Sequence, residues 1–178
     1  MTAREQVEYR ALRATIRERG TARVYIFAGG IAAWGALAIA TAALASTPLA
    51  TLLPLLVLAA IFEAVFALHV GVERIGRYLQ VFYEADSTGA RWEHIAMAFG
   101  RPAGGASADA LFSVTFFLAA LFNVAPALIV QPTIQELIFV GGAHALFLVR
   151  LAVAREAARR QRAIDLRRFE ELKRATKG

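Results

Sequence analysis

Residues 49–72 read LATLLPLLVLAAIFEAVFALHVGV, an apolar run that only Glu63 and His69 interrupt with strongly polar side chains. An α-helix needs about 20 mainly apolar residues to cross the hydrocarbon core of a bilayer, because each residue advances the helix by about 1.5 Å. The run also lacks the alternation of apolar and polar residues that is typical of a transmembrane β-strand. It therefore predicts a membrane-spanning helix.

Three more stretches have similar length and apolar character, and each predicts a further spanning helix. The short turns at residues 46–48 and 131–133 predict two tight antiparallel hairpins. Thr133 and Glu136 have the spacing of a capping box, which marks the start of the last helix. The predicted fold is all-α, an integral membrane four-helix bundle with spans at residues 24–45, 49–72, 110–130 and 134–154.

The composition of the 178 residues supports a membrane protein and excludes several other classes. Hydrophobic residues make up 58% of the chain and the mean hydropathy is +0.51, which excludes a disordered chain. Cysteine is absent, so neither a disulfide framework nor a thiolate metal site is expected. The net charge of +6 suggests nucleic acid in a soluble protein, but no recognition motif accompanies it. Nucleic acid is therefore not an expected partner.

The basic residues lie on one side of the predicted membrane. All 20 Lys and Arg residues lie before residue 24, between residues 73 and 109, or from Arg150 onward, and neither short turn contains one. Cytoplasmic segments retain basic residues during insertion, so both termini and the middle loop are predicted to be cytoplasmic, against anionic lipid headgroups. The predominance of Arg over Lys indicates a high-GC bacterial gene, and hence a bacterial inner membrane protein.

Helical patterns continue beyond the predicted spans, within what we expect to be a single membrane domain. A helical extension is predicted at the start of the loop 73–109, a basic cytoplasmic helix over 155–178, and an amphipathic segment over 1–23 that Gly20 should interrupt. A short loop helix carries Trp92, Ile95 and Phe99 at positions i, i+3 and i+7. This helix is predicted to lie at the membrane interface, and the alternative is a docking site for a partner.

Four polar residues within or near the spans are candidate site residues: Glu63, His144, Asn123 and His69. Glu63 and His144 both fall near the predicted midplane, where an ionised carboxylate is costly unless it is paired, hydrated or protonated. One hypothesis is a proton relay or an ion-coordinating pair. The other is a protonated Glu63 that bonds to His144 or to a backbone carbonyl and holds the bundle in register. Asn123 lies close to Pro126, which frees a backbone carbonyl and adds a second polar position.

A second set of candidates, Glu73, Arg74 and Arg77, lies at the inner end of the second span beside His69. Headgroup contacts and inter-helix salt bridges are the simplest interpretation, and a gate or substrate site is the alternative. No nucleotide-binding loop or nucleophile motif occurs, and the three His residues lie on separate segments. The chain is therefore expected to have no enzymatic activity, no cofactor and no metal site.

These patterns leave two function classes open. The first is a non-enzymatic membrane subunit or scaffold whose basic cytoplasmic helices bind lipid, another membrane protein or a second copy of the chain. The second is a small oligomeric ion or proton channel, or a transporter, with Glu63, His144 and Asn123 along its pathway.

Overall fold

The computed structural model describes residues 1–44, 46–85, 92–99 and 108–177, and the side chains of 97–99, 108–112 and 177 lie outside that description. Within these ranges every regular element is a helix, which confirms the all-α prediction. The elements are α1 (Ala3–Leu44), a 3₁₀ turn (Pro48–Thr51), α2 (Leu52–Leu79), a π-helical turn (Gln80–Glu84), α3 (Trp92–Phe99), α4 (Ala108–Ile129) and α5 (Ile134–Lys177).

The turn between α4 and α5 follows directly from its residues. Gln131 adopts a positive φ of 52°, which reverses the chain. The Thr133 backbone N–H donates to the Glu136 carboxylate at 2.9 Å, and the Glu136 N–H donates to the Thr133 hydroxyl at 3.3 Å. These reciprocal bonds are the predicted capping box, and they satisfy N–H groups that would otherwise have no partner at the start of α5.

Three helices are long and apolar enough to cross a membrane: Ala3–Leu44, Pro48–Glu84 and Ile134–Thr176. The described apolar part of α4, Ser113–Ile129, is shorter. The interruption expected at Gly20 is wrong, because α1 continues through it for 42 residues. One glycine inside a helix costs only about 1 kcal/mol relative to alanine, which the helix-forming residues around it outweigh.

The chain divides into two compact units. The first, here called the basic unit, comprises Met1–Arg23, Ala67–Ser107 and Glu156–Gly178, and the second, the apolar unit, comprises Val24–Phe66 and Ala108–Arg155. Of all the Lys and Arg residues in the chain, only Arg150 and Arg155 belong to the apolar unit. The division therefore separates most of the basic charge from the apolar stretches.

Aromatic side chains form the centre of the apolar unit. The Phe62 ring on α2 meets Phe116 of α4 edge-on at 5.3 Å and Phe147 of α5 at 6.1 Å. The Phe27 ring of α1 also meets Phe116 edge-on at 5.8 Å, so rings from all four helices of the unit are in contact. The buried residues around them are Leu55, Leu58, Ile61, Val65, Ala119, Ala120, Leu151 and Ala154.

The outer surface of the apolar unit is also apolar, the reverse of a water-soluble domain. Large apolar side chains are exposed on every helix that the unit contains, whereas soluble monomers seldom expose contiguous apolar patches beyond a few hundred Å². This surface and the three long apolar helices indicate localisation to a membrane. The most exposed of these side chains are Tyr25, Ile39, Leu44, Leu56, Phe122, Ile129, Ile134, Ile138, Phe139 and Leu146.

We predict that Gly30→Ala lowers the free energy of unfolding by about 1–3 kcal/mol, because α1 approaches α2 too closely there for a side chain. A Cβ atom at Gly30 would lie 2.7–2.9 Å from three side-chain carbons of Ile61, whose branched side chain has little freedom to move. Circular dichroism during SDS-induced unfolding in detergent micelles measures the change.

Gly29→Ala is the matched control, since nothing lies within 4 Å of a Cβ atom at that position. Alanine should raise the stability there by up to about 1 kcal/mol through helix propensity alone. Equal effects at the two glycines would contradict the close contact between α1 and α2.

Candidate functional site

A buried polar network in the apolar unit has Asn123 at its centre. The Asn123 side chain is 3% exposed, and its Nδ2 lies 2.8 Å from the Thr51 carbonyl and 3.0 Å from Nε2 of His144. The Trp34 indole N–H donates to Asn123 Oδ1 at 3.3 Å. One amide therefore joins α1, the 3₁₀ turn, α4 and α5.

The hydrogen bonds define which group donates at each position. Nδ1 of His144 lies 2.8 Å from the Val140 carbonyl, an acceptor only, so Nδ1 carries the proton. Nε2 is then the acceptor, and it receives one of the two Asn123 N–H groups while the Thr51 carbonyl receives the other. The neutral form of His144 and a single orientation of the Asn123 amide satisfy every one of these groups.

The same geometry opposes proton transfer through this network. A proton on Nε2 of His144 would face the donating amide of Asn123. Rotating the amide by 180° would place its N–H groups against the Trp34 donor and its oxygen against the Thr51 carbonyl. Either arrangement leaves buried polar groups unpaired, which is costly in a low-dielectric interior. The arrangement is chemically suited to holding four segments together.

Glu63 does not belong to this network, so the hypothesis that it bonds to His144 is not met in the described residues. Its carboxylate is on the exposed side of α2, where Oε1 and Oε2 lie 2.8 Å from Nε and Nη2 of Arg150. Arg150 follows His144 by six residues, or about 9 Å along α5. The Glu63 carboxylate, which meets Arg150, therefore lies at a different level along α5 from the His144 ring. In the sequence, the positive charge of Arg150 was the feature that could have identified it as the partner of Glu63.

The basic unit contains a chain of ion pairs between α2 and α5. Glu73 lies 3.0 Å from Arg77 on its own helix and 2.6 Å from Arg162 on α5. Asp165 then lies 3.6 Å from Arg77 and 3.4 Å from Arg74. The structure thus brings the predicted inner-end residues together. The sequence did not identify Arg162 and Asp165 as members of this cluster, because a basic helix is usually exposed to solvent. Their spacing of three residues, about one helix turn, places them on the same face of α5 and could have indicated it.

His69, the remaining candidate, lies beside the same cluster within the basic unit. Its Nδ1 is 2.9 Å from the Arg23 guanidinium, and its Nε2 is 3.7 Å from Glu73. His69 therefore connects α1 to α2 in addition to facing Glu73.

The loop helix α3 is attached to the basic unit by its polar residues. The Glu84 carboxylate, 3% exposed, accepts the backbone N–H groups of Glu93 at 2.9 Å and His94 at 3.2 Å. Glu93 in turn pairs with Arg13 of α1 at 2.5 Å. The Trp92 and Ile95 side chains are exposed, and the Phe99 side chain lies outside the described residues.

A cavity of about 310 Å³ lies beside α3 in the basic unit, next to the π-helical turn. Its lining includes His94, Glu170, Lys173 and Arg174, and the Lys173 ammonium donates to the Val81 carbonyl at 2.6 Å. Within the described ranges, no group of three or more His, Asp or Glu side chains is arranged to hold a metal ion.

No family model, curated protein or solved structure matches the chain. The function is therefore argued from the geometry described above.

We predict that Asn123→Leu lowers the free energy of unfolding by about 2 kcal/mol, because Trp34, Thr51 and His144 all lose the partner of a buried polar group. SDS-induced unfolding in micelles measures the loss. Gln135→Leu, a matched change at an exposed position of α5, should stay within about 0.5 kcal/mol of the parent. An unchanged stability for Asn123→Leu would show that the network does not hold the bundle.

We predict that the attachment of α3 weakens as the pH rises above 4.5. Burial raises the pKa of Glu93 above its ordinary value of 4.5, Arg13 lowers it in part, and the Glu84 carboxylate raises it further. The attached form of α3 therefore binds the Glu93 proton more tightly than the detached form, so its stability falls through the window between the two pKa values.

Hydrogen exchange at the Ile95 and Ala96 amides, corrected for the intrinsic rate, measures this effect. In the parent, the corrected exchange rate should increase as the pH rises through that window. In Glu93→Gln this increase should be absent, because residue 93 no longer titrates. A rise in protection over the same window in the parent would contradict the direction of the shift.

Proposed function

We propose that the protein is a non-enzymatic, four-span integral membrane scaffold of a bacterial inner membrane, with both termini in the cytoplasm. The observation that carries the proposal is the apolar outer surface of the apolar unit, which extends over α1, α2, α4 and α5. Such a surface is stable when lipid covers it. A fourth span is supported by the length of α4, whose 22 residues extend about 33 Å, close to the hydrocarbon thickness.

The orientation is supported by the distribution of charge. The two short turns of the apolar unit, at residues 46–48 and 131–133, have no Lys or Arg, whereas the basic unit has nearly all of them. Basic residues remain in the cytoplasm during membrane insertion. The turns then face the periplasm, and the segments of the basic unit face the cytoplasm.

The polar networks favour a scaffold over a channel. Asn123 and His144 satisfy their hydrogen-bonding groups inside the bundle, and Glu63 pairs with Arg150, so none of the three is held ready for an ion or a proton. In the basic unit several arginines remain exposed and make no ion pair with any described residue. They are suited to anionic headgroups. These arginines are Arg10, Arg17, Arg167 and Arg168.

The absence of cysteine allows the topology to be tested with single cysteines in the full chain. In intact cells, Ser46→Cys and Gln135→Cys should react with a membrane-impermeant maleimide added from outside. Thr2→Cys and Thr176→Cys should react only after the membrane is permeabilised. All four residues are exposed, so the difference in labelling reports the side of the membrane rather than burial.

Labelling of either terminal cysteine in intact cells would overturn the proposed orientation. Extraction of the parent protein by alkaline carbonate would overturn its integration into the membrane. A substrate-dependent flux through proteoliposomes of the parent protein would replace the scaffold with a transporter.

A further inference from the structure

An ion pair lies on the outer, apolar surface of the apolar unit. The Glu63 and Arg150 side chains are 49% and 40% exposed, and their two shortest contacts are both 2.8 Å. The Arg150 guanidinium also lies 5.5 Å from the Phe66 ring and 5.9 Å from the Phe62 ring. The pair thus connects α2 to α5 while one side of it remains uncovered.

The position of the pair along its helices places it within the hydrocarbon layer, if the proposed membrane insertion holds. Arg150 lies 16 residues after Ile134, the first residue of α5, which is about 24 Å of helix. Glu63 is at a similar distance, about 24 Å, from Pro48 at the start of the preceding 3₁₀ turn. Since the hydrocarbon core is about 30 Å thick, both charges lie inside it rather than at its boundary.

The hydrogen-bonding capacity of the pair is only partly used. Arg150 has five N–H donors, and Nε and Nη2 are directed to Glu63. Among the described residues no other acceptor takes the remaining donors of Arg150, and no other donor reaches the Glu63 carboxylate. Lipid chains offer neither donors nor acceptors, so an uncovered pair at this depth is unfavourable.

Apolar side chains surround the pair on the same surface. Leu56 precedes Glu63 by seven residues, or two helical turns, and Leu146 and Val153 lie four residues before and three residues after Arg150. All three are more than half exposed. The surface formed by Leu56, Glu63, Leu146, Arg150 and Val153 is here called the Glu63 face.

We propose that the Glu63 face is the interface between two copies of this chain, related by a twofold axis. A patch with one acid beside one base is complementary to itself, because a twofold rotation places the Glu63 of each copy against the Arg150 of the other. The second copy supplies the acceptors and donors that lipid lacks, and its leucines cover the apolar rim. The inference rests on the proposed membrane function and adds the partner.

Cross-linking tests the position of the interface in membranes that contain the full chain. Val153→Cys and Leu146→Cys should each form a disulfide-linked dimer under copper-catalysed oxidation, since both flank the ion pair. Ile39→Cys and Phe122→Cys are matched controls, because they are exposed at 73% and 70% on α1 and α4 but lie outside the Glu63 face. Dimers at the controls and none at the face would overturn the proposal.

Complementary charge variants test whether the ion pair itself joins the copies. Glu63→Arg gives a face with two positive charges, and Arg150→Glu gives one with two negative charges. Each variant alone should lose the Val153→Cys dimer, and a mixture of the two should recover it as a mixed dimer of differently tagged chains. Continued self-association of either single variant would overturn the proposal.

A neutral variant keeps the test valid if the single charges prevent folding. Glu63→Gln combined with Arg150→Gln leaves no lone charge, so circular dichroism should stay at the parent level. Its dimerisation constant in proteoliposomes, measured by single-molecule photobleaching, should fall about three- to tenfold. An unchanged dimerisation constant would overturn the proposal. A parent protein that resists carbonate extraction but remains monomeric would overturn this inference and leave the membrane scaffold intact.

Discussion

The hydrogen bonds of Asn123 are the interaction on which the apolar unit depends. Packing of apolar side chains favours the association of α1, α2, α4 and α5. Apolar contacts alone only weakly determine how these helices are aligned along one another. The Asn123 amide accepts from Trp34 and donates to Thr51 and His144, so a shift of any one segment leaves a buried polar group unpaired. That penalty is large in a low-dielectric interior, and it converts a set of apolar helices into one defined arrangement.

The two units are stabilised by different physical means, although three helices contribute residues to both. The apolar unit relies on the aromatic contacts around Phe62 and on the polar network of Asn123. The basic unit relies on alternating charges: Glu73 of α2 pairs with Arg77 on its own helix and Arg162 on α5, and Asp165 of α5 pairs with Arg74 and Arg77 on α2. This pairing allows so basic a unit to fold compactly, because the two acids offset the repulsion among their arginine neighbours.

The candidate residues show what spacing along the sequence can and cannot predict about buried polar contacts. Depth in a helix was enough to select Glu63, Asn123 and His144 as unusual, because polar residues inside apolar runs need partners. It was not enough to assign the partners. The sequence placed both Glu63 and His144 near the midplane, yet Glu63 meets Arg150, six residues beyond His144 on α5, and Asn123 occupies the position facing His144.

The sequence by itself determined the helical fold, the capping box at Thr133, the apolar lengths and the absence of basic residues from the two short turns. These are local or additive properties, and each depends on neighbouring residues or on a sum over a segment. Only the tertiary structure decided which polar groups meet and that α3 is held by Glu84 and Arg13. Such contacts depend on how separate helices are rotated and offset, and the pattern within one helix does not contain that information.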